Sequence, residues 1–292
     1  MKLIALILGL GLERAATALL HLREPRWLDA YFDFVLRLAA KVDVRLVALP
    51  AVAAVLLLFA PVLLVGIELG GTALAVWDLA YLLFAVAVVF FSLGPRDLAT
   101  EVSEYCGALD RGEAPAAQRA LVELTESGRT GAAAEQAIFV QATNRVFGVI
   151  FWFMLLGPAG AWLFRVGDLF RRRATLQSQG RPEYAAAAAA VEALHGVLTW
   201  VPARLAALGY AFSGSFDDAL NAWRNYRSPE GEPFNRASDR VVALVGTAAM
   251  TGFLQAPESS STAARNALRL VTRTLFIWVT FIAALTIVGW SV

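Results

Sequence analysis

Ionisable and amide side chains that interrupt otherwise apolar sequence are the places where this chain could do chemistry. Glu13 and Arg14 break an apolar N-terminal run, Asp78 lies inside a later one, Asn144 and Arg145 open a third, and Arg165 and Asp168 close it. Arg204 stands within an apolar stretch from Tyr184 to Gly214 that also carries Trp200 and Tyr210. Arginine at mid-bilayer costs about 2.5–3.5 kcal/mol on insertion scales, so Arg204 is expected in a protein-lined, wet pocket facing an anion or a carboxylate. A guanidinium grips either group through two parallel charge-assisted hydrogen bonds. The pattern predicts a membrane-edge pocket for a small anionic ligand centred on Arg204, Asn144, Arg165 and Glu13, in which Glu13 or Asp168 orients the arginine or recognises an amine. The full expected contact set is Glu13, Arg14, Asn144, Arg165, Asp168, Trp200, Arg204 and Tyr210. The plainer alternative has Glu13 or Asp78 pairing with Arg204 or Arg165 to fix helix packing.

Familiar catalytic frameworks are missing from the sequence. It holds no Gly-x-Ser-x-Gly elbow, no phosphate-cradling Gly-x-x-x-x-Gly-Lys-Ser/Thr loop and no acidic cluster with magnesium-site spacing. Gly9-Leu10-Gly11 lacks both a third glycine and a preceding strand, and Ser259-Ser260-Ser261 reads as a loop leading into a helix cap. With Cys106 as its one cysteine, the chain can form neither an internal disulfide nor a thiolate metal cluster. His21 and His195, the two histidines, sit in no metal-binding spacing and read as polar helix residues. No catalytic residue or metal site is assigned, and the sequence names no cofactor. Balanced charge, 25 basic against 24 acidic residues, provides no field for drawing in nucleic acid.

The elements that must position these residues are helices in lipid. Hydrophobic residues make up 58% of the chain and charged ones 17%, against roughly 25% charged in a soluble domain. Leu46 to Ile67 and Leu69 to Pro95 hold one formal charge between them, Asp78. The first would make a helix about 33 Å long, enough for a hydrocarbon core of about 30 Å. Only a helix hides its peptide groups there, and the Glu68-Leu69-Gly70-Gly71 connection predicts an antiparallel hairpin. Met1 to Leu12 imitates a secretory signal, but Glu13 and Arg14 arrive before any cleavage site, which predicts a retained, partly embedded helix. Trp27 to Lys41 is amphipathic and either lies on the bilayer or packs on its own protein.

Residues 96–145 read as soluble helices with breaks at Gly112 to Pro115 and Gly128 to Gly131. Val146 to Phe164 is apolar but interrupted by Gly157-Pro158-Ala159-Gly160, where proline forces a kink or a reversal. Four plain crossings would divide the basic loops between the two sides and violate the positive-inside rule. A re-entrant or shallow kinked third segment, which keeps the large loops cytoplasmic, stands against the plain crossing. The expected organisation is embedded and interfacial helices over 1–45, a transmembrane hairpin over 46–95, and soluble helices over 96–145. A broken membrane segment over 146–170, a soluble and membrane-associated region over 171–273 and a final span over 274–292 complete it. The fold class is all-α and polytopic; membrane lipid is the expected partner, and a homo-oligomer is compatible with the sequence.

One segment carries a family resemblance. Leu198-Thr199-Trp200-Val201-Pro202-Ala203-Arg204-Leu205, then Gly209-Tyr210-Ala211 and Ala219-Leu220-Asn221-Ala222-Trp223, resembles the signature of the AmpE family. Glu13-Arg14 after the apolar start, Leu28-Asp29, and the closing Leu285-Thr286-Ile287 are similar too, so the resemblance covers nearly the whole chain. It implies a multi-pass regulatory or sensory protein of the bacterial inner membrane, linked to beta-lactamase induction and cell-wall recycling. AmpE in turn is similar to the CbiB-type synthases of cobalamin biosynthesis, which form an amide between a corrinoid carboxylate and an amino-alcohol. Pro202-Ala203-Arg204-Leu205 matches their Pro-Ala-Arg-Leu, and Thr143-Asn144-Arg145-Val146-Phe147-Gly148 aligns with their Glu-Asn-x-x-Asp-Gly. Asn144 and Gly148 agree, whereas Thr143 and Phe147 replace two acids and can neither hold a metal ion as carboxylates nor act as a base. The rival expectation is therefore a CbiB-like synthase with a changed substrate that uses Glu13 and Asp168 instead. A permease is disfavoured because so few spans leave little wall for a path.

Overall fold

A computed structural model describes residues 2–15, 27–43, 46–70, 75–93, 97–125, 133–228, 234–251 and 259–288. Helices account for the regular structure of these residues, and the chain is an all-α polytopic protein. Four helical runs, Ala48–Gly70, Ala134–Leu156, Pro182–Ser213 and Ser260–Ile287, are long and apolar enough to cross a membrane. The chain divides into two compact units, and two of the divisions, at 147/148 and 198/199, fall inside helical runs.

The first unit holds α1 (Lys2–Ala15), α2 (Trp27–Ala39), α3 (Ala48–Gly70), α4 (Ala75–Ser92), α8 (Gly148–Leu156), α9 (Pro158–Gly180) and the start of α10 (Ala185–Ser213). Its apolar surface is inverted relative to a soluble protein. The 23-residue α3 buries Ala51, Ala54 and Val55 while exposing Leu56, Leu57, Leu64 and Ile67, the arrangement of a helix solvated by lipid. Gly66 lies beside Phe84 and Gly70 beside Tyr81, so α3 and α4 run antiparallel as the expected hairpin. Helix α3 continues through Glu68 to Gly70 rather than stopping at Ile67, and α4 begins at Ala75; residues 71–74 lie outside the described set. Asp78, expected inside the second span, is exposed in the first turn of α4, where the helix dipole favours a carboxylate.

Helix α2 packs on its own protein. Leu28, Phe32, Val35 and Leu36 are buried, and Phe32 stacks on Phe170 of α9 at 4.7 Å between ring centroids. On its polar face, Asp33 accepts two hydrogen bonds from Arg173, at 2.8 and 2.6 Å. The Asp33 carboxyl is held below its ordinary range, chiefly by that hydrogen bond.

The break in the third apolar segment is a reversal. Gly157, at φ +67°, takes a left-handed conformation open to glycine at little cost, and Pro158 starts α9 where its missing N–H is not needed. A Cβ on Gly160 would lie 2.1 Å from the Trp152 carbonyl oxygen, and one on Gly148 2.2 Å from the Phe164 ring. These pairs, 152 with 160 and 148 with 164, define two antiparallel arms joined at 157. Upstream, α7 (Ala134–Ala142) continues into α8 through a π-turn, Thr143–Phe147, so the apolar helix begins before Val146 and extends into the region expected to be soluble.

The second unit holds α5 (Leu98–Asp110), α6 (Ala114–Thr125), α7, the remainder of α10, α11 (Phe216–Asn225), α12 (Phe234–Ala249) and α13 (Ser260–Ile287). The expected break at Gly112 to Pro115 separates α5 from α6; that at Gly128 to Gly131 lies outside the described residues. Val102, Ile138, Phe139, Ala206, Tyr210, Val242, Val245, Ala267 and Leu270 form its core. Helix α13 is capped by Ser259, whose Oγ accepts from the Thr262 amide, so the final span is the distal half of a helix that starts inside the protein. Up to Thr274 it buries Ala263, Ala264, Ala267 and Leu270; beyond, it exposes Phe276, Ile277, Phe281 and Ile287.

Candidate ligand site

The π-turn, α5 and α10 position one group of polar residues in the second unit. A π-turn adds a residue to a helical turn and is commonly retained at functional sites. Here it buries Thr143, Asn144, Arg145 and Phe147 together. Arg145 donates from Nη1 to Glu101 Oε2 of α5 at 2.8 Å and from Nε to Gln141 Oε1 at 2.8 Å. The pair is nearly solvent-free, so removing either partner would cost about 3–5 kcal/mol by stranding a buried charge. Asn144 is 3% exposed, and its Oδ1 accepts no hydrogen bond among the described residues. The two positions that replace acids of the CbiB-type motif serve packing. Thr143 Oγ1 donates to the Phe139 carbonyl at 2.9 Å, and Phe147 is fully buried against Tyr210 and Trp278. Tyr210 is buried as well and donates to the same Phe139 carbonyl at 3.4 Å.

Arg204 is partly exposed on α10 and, among the described residues, is held by groups other than a carboxylate. Its guanidinium lies 4.1 Å from the centroid of the Trp200 ring, while Nη1 donates to the Trp200 carbonyl at 2.9 Å and to Ser238 Oγ of α12 at 3.2 Å. Both hydrogen bonds that Arg204 makes among the described residues leave from Nη1; the side chain of Glu13, one of its expected partners, lies outside the described residues. Stacking and two anchors on one nitrogen fix the plane, leaving the Nε–Nη2 fork as the edge that could take two oxygens of an anion.

The first unit contains a second constellation. Asp168 on α9 is fully buried; Arg171 Nη2 meets its Oδ1 at 2.7 Å, and Arg172 Nε and Arg165 Nη1 meet its Oδ2 at 2.8 and 3.3 Å. His195 of α10 places Nε2 3.8 Å from Oδ1, beneath the Phe164 ring. Burial alone would raise the Asp168 pKa, but Arg172, Arg171, His195 and Arg165 outweigh it and hold the carboxyl well below the usual range. An acid so committed is an anchor for guanidinium groups rather than a proton acceptor. Of the expected contact set, Asn144, Trp200, Arg204 and Tyr210 fall in the second unit and Arg165 and Asp168 in the first. The side chains of Glu13 and Arg14, at the end of α1, lie outside the described residues, as does His21.

Sequence reasoning passed over Arg171, Arg172 and His195, as well as Glu101, Gln141 and Ser238. The spacing of 165, 168, 171 and 172 at three and four residues was a legible sign of one helix face. The other contacts cross between helices distant in sequence and leave no local trace.

Inverted apolar surfaces, a glycine-hinged reversal and arginines immobilised at the edges of apolar helices define a helical membrane protein built around buried cationic groups. The whole chain, residues 1–292, matches the family described as regulatory signalling modulator protein AmpE, and it belongs to that family. Among curated proteins it is 28% identical over 259 residues to cobalamin biosynthesis protein CobD of Chromobacterium violaceum, covering 81% of this chain and 80% of that protein. It is also 28% identical over 208 residues to the CobD of Stutzerimonas stutzeri, covering 66% and 67%. No solved structure matches.

Proposed function

We propose that this chain is a regulatory or sensory protein of the bacterial inner membrane, linked to beta-lactamase induction and cell-wall recycling, that reads a small anionic ligand. Membership of the AmpE family supports the regulatory role. The observation that carries the ligand class is Arg204: a preoriented guanidinium with no acid beside it among the described residues. Trp200 and Ser238 set its plane, and the fork of Nε and Nη2 takes the anion. Asn144 and Tyr210 belong to the same unit, but Tyr210 is buried on the opposite face of α10 with its hydroxyl on the Phe139 carbonyl, so the anion contact falls to Arg204; Arg165 and Asp168 serve as the anchor of the other unit. The test replaces the native gene with Arg204→Ala in a Gram-negative host whose beta-lactamase is inducible, and follows hydrolysis of a chromogenic cephalosporin after induction. Induction falls about tenfold or more, with the protein's membrane level unchanged. Full induction at an equal protein level refutes the assignment of Arg204.

The CobD relatives favour a second reading, a membrane amide-forming synthase with a changed substrate. Packing roles for Thr143 and Phe147, and the commitment of Asp168 to three guanidinium groups, weigh against it. Amide formation from a corrinoid carboxylate and an amino-alcohol by the purified protein would reinstate it.

A further inference from the structure

The surroundings of Arg204 specify the anion further, and this step rests on the reading of Arg204 given above. At 100° per residue, Trp200, Val201, Arg204, Leu205, Leu208 and Phe212 fall on one face of α10, and the opposite face buries Ala203, Ala206, Ala207 and Tyr210 in the core. The outward face is apolar and open: Trp200 is 41% exposed, Leu205 39%, Leu208 37% and Phe212 66%. It extends about 18 Å, comparable with one leaflet of a hydrocarbon core about 30 Å thick. The cation is therefore set into a greasy strip.

The turn of α12 that presents Ser238 also carries the exposed Arg236 and Arg240, so Arg204 lies level with further exposed cationic side chains, which favour the polar edge of a bilayer. A soluble anion would use the guanidinium and leave the strip bare. An anion joined to a hydrocarbon chain satisfies both, with charge complementarity at the Nε–Nη2 fork and apolar contact along α10. The geometry points to a site for a phosphate-bearing lipid: two phosphate oxygens accept from Nε and Nη2 of Arg204 while an acyl chain lies along the strip formed by Trp200, Leu205, Leu208 and Phe212. Trp200 serves both ends, stacking on the guanidinium and walling the strip. The preoriented fork distinguishes this site from ordinary lipid contact, since an arginine merely reaching for the interface would not be fixed at Nη1 by Trp200 and Ser238.

The experiment is native mass spectrometry of the full-length protein in detergent, titrated separately with dioleoyl phosphatidic acid, dioleoyl phosphatidylcholine and inorganic phosphate. One phosphatidic acid should bind at least about tenfold more tightly than phosphatidylcholine, and Arg204→Gln should abolish that preference. Leu208→Asn should weaken phosphatidic acid severalfold while the variant elutes as the native species on gel filtration. Arg204→Lys guards against misfolding: it keeps the charge, loses the fork, and should retain only part of the preference. Equal binding of both lipids, unaltered by Arg204→Gln, overturns the inference. Binding of inorganic phosphate without any preference for phosphatidic acid overturns it too, yet leaves the small-anion reading standing. If neither phosphate species binds, both fail.

Discussion

Asp168→Asn should be among the most damaging conservative changes in this chain, although Asn is nearly isosteric with Asp. The native carboxylate is fully buried and meets Arg171, Arg172 and Arg165 at 2.7, 2.8 and 3.3 Å. Asparagine offers a single acceptor oxygen and no charge, and its amide donors would face guanidinium donors. Breaking a buried ion pair by removing one partner costs about 3–5 kcal/mol. At roughly 2–4 °C per kcal/mol for a domain of 150–250 residues, the melting temperature should fall by about 6–20 °C. Intrinsic tryptophan fluorescence on heating the detergent-solubilised protein at neutral pH measures it. The sign of the pH dependence follows from the depressed pKa. The folded carboxyl titrates below its unfolded value of about 4, so its contribution is fully present above that value and is lost as pH falls through the folded pKa. For this group, wild-type stability should be flat from pH 7 to 5 and erode below about pH 4, whereas Asp168→Asn should lack that acid component. A melting shift under 2 °C at neutral pH would show that the three arginines do not depend on this carboxylate.

Three further predictions concern backbone groups. Trp152→Phe removes the indole donor to the Leu198 carbonyl, 2.9 Å in the structure, and should cost about 1 kcal/mol; the loss should shrink in a Pro202→Ala background, where an N–H returns to serve that carbonyl, as a double-mutant cycle of thermal melts will measure. Gly160→Ala places a methyl group 2.1 Å from the Trp152 carbonyl oxygen, which cannot move aside as a side-chain tip could, so it should destabilise by 1–3 kcal/mol or more. Gly180→Ala, with nothing within 4 Å, should leave the melting temperature within about 2 °C.

The sequence exposed those features that are local. Uncharged runs of about twenty residues marked α3, α4 and the distal part of α13 because lipid admits few other solutions. Gly157-Pro158 marked the reversal because its backbone demands are intrinsic to those residues. The start of α13 was hidden: Arg265, Arg269 and Arg273 recur every fourth residue and are all exposed, so a continuous helix presented itself as soluble sequence followed by a span. The π-turn was not legible: Glu101 from α5 meets its Arg145, and Tyr210 from α10 meets the Phe139 carbonyl just before it, contacts that leave no trace in the local sequence. Arg204 was legible as a cation needing company. The company itself, an indole, a carbonyl and a hydroxyl, was not, because a buried arginine in sequence suggests an acid.

Arg204 and Pro202 belong to one local solution in α10. A proline inside a helix leaves the carbonyl four residues earlier without its N–H partner, here Leu198, and Trp152 supplies the replacement donor. Two residues beyond the proline, Arg204 folds back along the same helix and adds a second donor to the Trp200 carbonyl. The helix thus carries side-chain donors to its own carbonyls on both sides of the proline. Lysine at 204 could satisfy the Trp200 carbonyl as a point donor, but it could not also stack on the indole and keep a planar fork turned outward. Charge retention without function at this position is therefore the outcome that separates a recognition arginine from one that only solvates a carbonyl.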